Sequence, residues 1–373
     1  MIKARNIHQW LWSSLMVVGL LLLVACADDS SDEQQDNCLR LASVTRADDD
    51  PIRLNEGHIK IFVTAKGIQP IDYPYENNGS GWGDAGASII ENTQYFIYGY
   101  MPNDGTVVTT GSSLSATDSE LGGDYAKGAN LTLGGLPIFT TEDICIIVGV
   151  KRVTSKITTE DPAAEEPAIE GNYSYLSGLS DQNYVNLLME HLYMKLQLQF
   201  KVKSDYYALR RIHLKSVKLK STYGKAVNAT VKLRKGKGIN AKGVDSPVGY
   251  VRTEPGNVEY NLLTGDDLEL AEAKEGVEAT KLSATVNCPH YLFVSNDPSI
   301  PSYLTIESTY DVYDTYGNRI RENCTASNKV KVLAQDTGAG IMKTLTLTVG
   351  PTYLYMLSEP DLDNPTADLK VEN

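Results

Sequence analysis

The 373-residue sequence is poor in residues that do chemistry. Its five histidines are His8, His58, His191, His213 and His290. None sits in an HExxH arrangement, and no GxSxG elbow occurs, so the common hydrolase signatures are missing. The five cysteines, Cys26, Cys38, Cys145, Cys288 and Cys324, form no CxxC pair. That removes the usual redox and zinc-ribbon spacings. Phe and Trp are scarce, at 5 and 3. Basic charge is in deficit, with 34 Lys and Arg against 47 Asp and Glu and a net charge of -13. Such a surface argues against nucleic acid as a partner. No motif calls for a cofactor, a metal or catalysis, and the chain is expected not to be an enzyme.

What the chain does have is tyrosine, 22 residues, and 42% hydrophobic content, enough for real cores. Tyrosine suits half-buried strand faces, with the ring packed and the hydroxyl wet. The hydrophobic residues alternate with polar ones. "GHIKIFVTAK", "TQYFIYGY", "ICIIVGVKR", "HLYMKLQLQFKVK", "NATVKLRK", "SYLTIESTYDVYD", "NKVKVLA", "MKTLTLTVG" and "TYLYMLS" all read as strands. "RRIHLKSVKLKS" alternates with one slip, which predicts a β-bulge. Only "DDLELAEAKEG" and "DQNYVNLLMEHL" are compatible with short helices. Many short alternating strands predict antiparallel sheets packed in pairs, an all-β chain of two tandem β-sandwiches.

The N-terminus is a targeting segment. Lys3 and Arg5 precede an apolar run from Leu11 to Val24, too short for an ordinary membrane span. It ends in Leu23-Val24-Ala25-Cys26, a lipobox, so residues 1–25 read as a signal peptide and Cys26 as the lipidated residue. The following acidic string, Asp28, Asp29, Asp32, Glu33 and Asp36, reads as a tether. It resembles the surface-export signals of some Gram-negative anaerobes. Residues 26–46 then form the lipidated tether and a short segment ending at Arg46.

Residues 158–183 are rich in Pro, Glu, Gly and Ser and lack periodicity. They are assigned to the end of a first domain, 47–188, before a second, 189–373. "GSGWGDAGAS" has no P-loop spacing and reads as a loop, with Trp82 as a possible glycan-facing aromatic. "KLRKGKGINAKG" reads as a solvated hairpin turn. Cys145 reads as a core residue; a Cys288–Cys324 disulfide is left open. His191 and His213 fall inside strand patterns, where a hydrogen-bonded structural role is expected. "EPDLDNPTAD" lacks the glycine and distal glutamate of a calcium loop and reads as a turn or tail.

Four stretches resemble the fimbrillin family, the subunits of type V pili. They are the lipobox with a downstream Arg46-Ala47, "MEHLYMKLQLQFKV", "STYDVYDTYGNRIRENCTASNKV" and the ending "LTLTVGPTYLYMLSEPDLDNPTADLKVEN". The resemblance covers most of the chain after Cys26 and is weakest between Gly67 and Thr140. It implies two transthyretin-like β-sandwich domains and a structural, adhesive role. It further implies export as an outer-membrane lipoprotein, then a cut after Arg46 by an arginine-specific protease. That cut would remove a strand carrying Leu39 and Leu41 and open a groove. A strand from another subunit would fill it, by β-strand addition. Tyr353, Tyr355, Leu357, Leu369 and Val371 are the expected donor-strand residues. A surface glycan-binding lipoprotein that keeps its lipid, a pilus anchor left uncut at Arg46, and a surface hydrolase stand as alternatives.

Overall fold

The computed structural model describes residues 37–372, apart from 48–51, 84–85, 117–123, 154–167, 180–182, 240–246, 283–289, 292–301, 333–341 and 352–366. Among the described residues the chain is all-β. In chain order the strands are β1 (Arg40–Arg46), β2 (Ile52–Arg53), β3 (Glu56–Ala65), β4 (Ile71–Asn78), β5 (Gln94–Met101), β6 (Ser112–Ala116), β7 (Gly128–Pro137), β8 (Phe139–Thr140), β9 (Cys145–Val153), β10 (Ser174–Leu176), β11 (Tyr184–His191) and β12 (Met194–Lys203). After a one-turn helix, α1 (Ser204–Tyr207), come β13 (Arg210–Ser221), β14 (Ala226–Arg234), β15 (Val248–Glu254), β16 (Val258–Glu269), β17 (Ala271–Ala273), β18 (Thr280–Lys281) and β19 (His290–Tyr291). The chain closes with β20 (Ser302–Asp314), β21 (Arg319–Val332), β22 (Met342–Pro351) and β23 (Ala367–Glu372).

These strands form four sheets. The N-terminal sheet runs β2-β1-β11-β9-β5-β3-β4, with β10 on β5. A second runs β15-β14-β7-β6, a third β23-β22-β12-β19-β8 with β17 and β18 also on β12, and a fourth β16-β13-β20-β21. The boundary expected near residue 188 falls within β11. Hydrogen-bonded pairs reach across it, β7 with β14 and β8 with β19.

The central strands of the N-terminal sheet, β5, β9 and β11, are buried on both faces. On one face Tyr98, Tyr100, Ile146 and Val148 join a core with Leu131 and Leu133 of β7 and Val227, Ala229 and Val231 of β14. The same core continues through Leu196, Leu198 and Phe200 of β12, Leu347 of β22, Ile212 and Leu219 of β13, and Leu304 and Ile306 of β20. On the other face Ile59, Ile61, Ile97, Ile147, Val185, Leu187 and Met189 form a separate core. Burial on both faces explains why β11 does not read as a strand. Its two sides, Val185, Leu187, Met189 and Asn186, Glu190, are both covered, so the polar-out alternation is lost.

Both helix-compatible stretches are strands. "DQNYVNLLMEHL" contains β11, and "DDLELAEAKEG" runs through the end of β16 into β17. Long-range pairing overrides local helix propensity there. The predicted bulge in "RRIHLKSVKLKS" is present, with register shifts between Leu214 and Ser216 against both neighbours of β13. The end of the 158–183 segment is packed rather than linker-like: Tyr173 and Tyr175 are buried and β10 pairs with β5. The basic "KLRKGKGINAKG" stretch turns in solvent as expected, with Lys232, Lys235 and Lys237 exposed, while Ile239 just beyond the turn is buried and donates its N–H to buried Glu190 at 2.7 Å.

Candidate functional site: the seat of the first strand

The first strand forms because Leu41, Ala42 and Val44 carry it into an existing apolar face, and its N-terminal neighbours Cys38 and Leu39 are buried as well. β1 lies parallel to β11, in register from Arg40 opposite Tyr184 to Arg46 opposite Met189, with an irregularity between Leu41 and Ser43. That shift accommodates the adjacent buried pair Leu41 and Ala42. On its other side, among the described residues, β1 meets the two-residue β2, Thr45 opposite Arg53 and Arg46 opposite Ile52, and the Leu54 N–H that donates to Val44 O at 2.8 Å. Leu39, Leu41 and Val44 sit in the core with Ile59, Ile61, Ile147, Val185 and Leu187. Burying those three side chains stabilises the seat by roughly 1.5–3 kcal/mol each.

Polar contacts fix the strand along its length. The glycine-rich loop closes over its start: Leu39 N–H donates to Ala87 O at 2.8 Å and Ile89 N–H to Asn37 O at 2.7 Å. Tyr75 Oη donates to Leu39 O at 2.9 Å. Arg40 N–H donates to Asn183 O at 2.9 Å, and its guanidinium lies over the Tyr184 ring. Midway, Ser43 Oγ donates to Asn186 Oδ1 at 2.8 Å in a buried pair. Trp82 in the same loop is half-buried against this core, so it does not form an exposed platform. Burial also lifts the phenols around the seat: Tyr73 and Tyr175 are both raised above the ordinary value, chiefly by desolvation.

The strand ends at Arg46, and the Arg46–Ala47 peptide lies at its exit. Ala47 N–H donates to Met189 O at 2.8 Å. The Arg46 guanidinium reaches Asp143 Oδ2 at 3.4 Å, with both side chains partly exposed. Asp143 Oδ2 also lies 2.6 Å from His191 Nδ1. Cys145 Sγ is 3.8 Å from Asp143 Oδ2 and 3.7 Å from His191 Nδ1. Cys145 and His191 are register partners on β9 and β11. Cysteine, histidine and aspartate together suggest a thiol nucleophile, but the geometry is wrong for one. Thiol and carboxylate both approach Nδ1, whereas a triad needs them on opposite ring nitrogens.

The other expected positions divide. Cys26, Tyr353, Tyr355 and Leu357 lie outside the described residues. Leu369 and Val371 stand in β23, opposite Val349 and Leu347 of β22 in the same chain. Cys145 is a buried thiol, as expected, and Cys324 is a thiol on β21, with Cys288 outside the described residues. His213 is hydrogen-bonded through Nδ1 to Asp267 at 2.8 Å. Sequence reasoning missed Tyr75, Asp143, Asn183 and Asn186, which hold β1 by contacts 36 to 146 residues apart in the chain. No local spacing carries such pairs.

No protein-family model matches the chain, and no curated protein does. Solved structures similar to it include a fimbrial protein from Bacteroides vulgatus, 14% identical, with a TM-score of 0.48, covering 90% of this chain and 99% of that one. Another is a putative cell adhesion protein from Bacteroides ovatus, 12% identical, with a TM-score of 0.36, covering 90% and 96%. A third is the fimbrial anchor protein Mfa2 from Porphyromonas gingivalis, 7% identical, with a TM-score of 0.29, covering 88% and 96%.

Proposed function

We propose that the chain is a structural pilus subunit, delivered to the outer membrane as a lipoprotein through Cys26. It is then cut after Arg46 and polymerised by β-strand addition. One observation carries the reading: an integral strand with three deeply buried core side chains terminates at an arginine. A cut there detaches the strand together with the lipid. The edge of β11 and the pockets of Leu39, Leu41 and Val44 are then left unfilled. Their exposure costs roughly 4.5–9 kcal/mol at the single-side-chain values above, comparable with a whole domain's stability. The vacated groove therefore favours an incoming strand with alternating apolar residues. Tyr353, Tyr355, Leu357, Leu369 and Val371 have that pattern. In this reading the partners are other subunits and an arginine-specific protease, with no catalytic chemistry in the chain itself.

The test is incubation of purified precursor with an arginine-specific protease, followed by gel electrophoresis of unboiled samples. A ladder of resistant oligomers is expected from the wild type and none from Arg46→Ala. Ladders from Arg46→Ala, or none from fully cut wild type, would count against strand exchange.

The Arg46–Asp143 contact favours a second reading. An arginine tied to a carboxylate, beside an Ala47 N–H bonded to Met189, must be released before a protease can take it. A subunit that never releases it would keep its lipid and serve as the pilus anchor.

A further inference from the structure

Asp143, Cys145 and His191 place three different metal-binding atoms within 4.8 Å of one another, beside the exit of β1. We propose that this cluster is a site for a thiophilic divalent cation such as zinc, and that Arg46 is the cation that competes for it.

The donor set is of the right kind. Thiolate, imidazole and carboxylate are the ordinary protein ligands of zinc, and a tetrahedral site with bonds of about 2.0–2.3 Å keeps its ligand atoms roughly 3.4–3.6 Å apart. The thiol lies 3.7 Å from Nδ1 and 3.8 Å from Oδ2, so both spacings already fit. Only Asp143 Oδ2 and His191 Nδ1, at 2.6 Å, must move apart, exchanging their mutual hydrogen bond for bonds to the ion. Asp143 Oδ1 is buried with no hydrogen-bond partner among the described residues, so the carboxylate has acceptor capacity that they do not use. A buried oxygen in that state is costly unless something answers it. The scaffold is rigid where it must be: Cys145 and His191 face each other across paired strands, and Asp143 is two residues before Cys145. Access exists too, since the Asp143 and His191 side chains keep 17% and 13% of their surface exposed.

Charge decides when the site fills. Thiolate and carboxylate together carry two negative charges, which a divalent ion neutralises. In the uncut chain one charge is answered by the Arg46 guanidinium, 3.4 Å from Oδ2. All three ligands lie on the side of the chain that a cut after Arg46 leaves behind, while Arg46 departs with β1. Metal binding to the uncut chain needs no cleavage, so it tests the site independently of the processing reading. The further tightening expected on cutting rests on that reading.

The experiment titrates the purified full-length chain with zinc chloride against a chromophoric chelator, and in parallel with cobalt(II). One equivalent of metal and a thiolate-to-cobalt charge-transfer band in the near ultraviolet are expected. Cys145→Ser should abolish the band, and His191→Gln should weaken zinc binding by at least about tenfold. Arg46→Ala should tighten it by about tenfold, because one positive charge leaves a partly buried site. Circular dichroism checks that each variant folds; if Cys145→Ser does not, loss of the band in His191→Gln stands in its place. No band in the wild type, or a band unchanged by either ligand substitution, would overturn the proposal.

Discussion

The two halves of the molecule open with strands in matching positions and unlike circumstances. In the N-terminal sheet β1 runs parallel to β11. In the third sheet β12 runs parallel to β22, in register from Lys195 opposite Met342 to Val202 opposite Val349. β12 is enclosed: β17, β18 and β19 pair along its other edge, and Leu196, Leu198, Phe200 and Val202 feed the large core. β1 has the same kind of apolar face, but among the described residues its other edge is met only near its end, by β2 at Thr45 and Arg46 and by the Leu54 N–H on Val44 O. One strand is built into its sheet. The other is seated in it and held at its end by a solvent-bordering arginine. The same parallel pairing thus encloses one strand along both edges and leaves the other paired chiefly along one.

The comparison is broken most severely by taking β1 away. A chain starting at Ala47 should lose roughly 4.5–9 kcal/mol of burial in its N-terminal half. In hydrogen exchange, β11 and β9 should lose protection while β12 and β22 keep theirs. Equal loss in both halves would mean that β1 supports the whole molecule and is not a separable strand. Next in size is Phe200→Ala on fully buried β12, expected to cost about 3–5 kcal/mol in urea unfolding. Because that core is continuous, the loss should reach β13 and β20 as well.

Ser43→Ala is a finer probe of the seat. It removes the hydroxyl that donates to Asn186 and should cost about 1 kcal/mol. A larger share of the effect should be seen in exchange of β11 than of β22. The smallest effect at neutral pH lies in the C-terminal half. Burial pushes the phenols of Tyr206 and Tyr310 up to about 12. Their folded values exceed the unfolded value of about 10. The stability they contribute is therefore fully present below pH about 10 and is lost as pH rises toward 12. Tyr310→Phe should flatten the alkaline fall of the unfolding midpoint between those limits. An unchanged slope would place the alkaline transition elsewhere.

The sequence made the strands legible wherever one face was wet. β12, β13, β14 and β20 alternate cleanly, and even the bulge in β13 shows as a slip in the pattern. In the N-terminal sheet β3, β5 and β9 were legible, but β11, covered on both sides, resembles a helix; in the second sheet β7, whose alternation over Ala129–Leu133 is cut short by glycines at 134 and 135, was not read. The first strand was visible only through Leu39, Leu41 and Arg46, and as a strand it runs from Arg40 to Arg46. What encloses it was not. Asp143, Tyr75 and the β11 pair Asn186 and His191 come from three distant stretches, and only the register of β9 on β11 sets Cys145 opposite His191. Pairings of that kind depend on topology, which local composition does not encode.

The central claim is that β1 is a strand built to be cut away at Arg46. Intact mass and N-terminal sequencing of the protein recovered from the cell surface test it most directly. The expected mature chain begins at Ala47, carries no lipid and has lost 4 basic and 5 acidic residues of the original 34 and 47, for a net charge of -12. A surface form that begins at a lipidated Cys26 and still contains Arg46–Ala47 would contradict it.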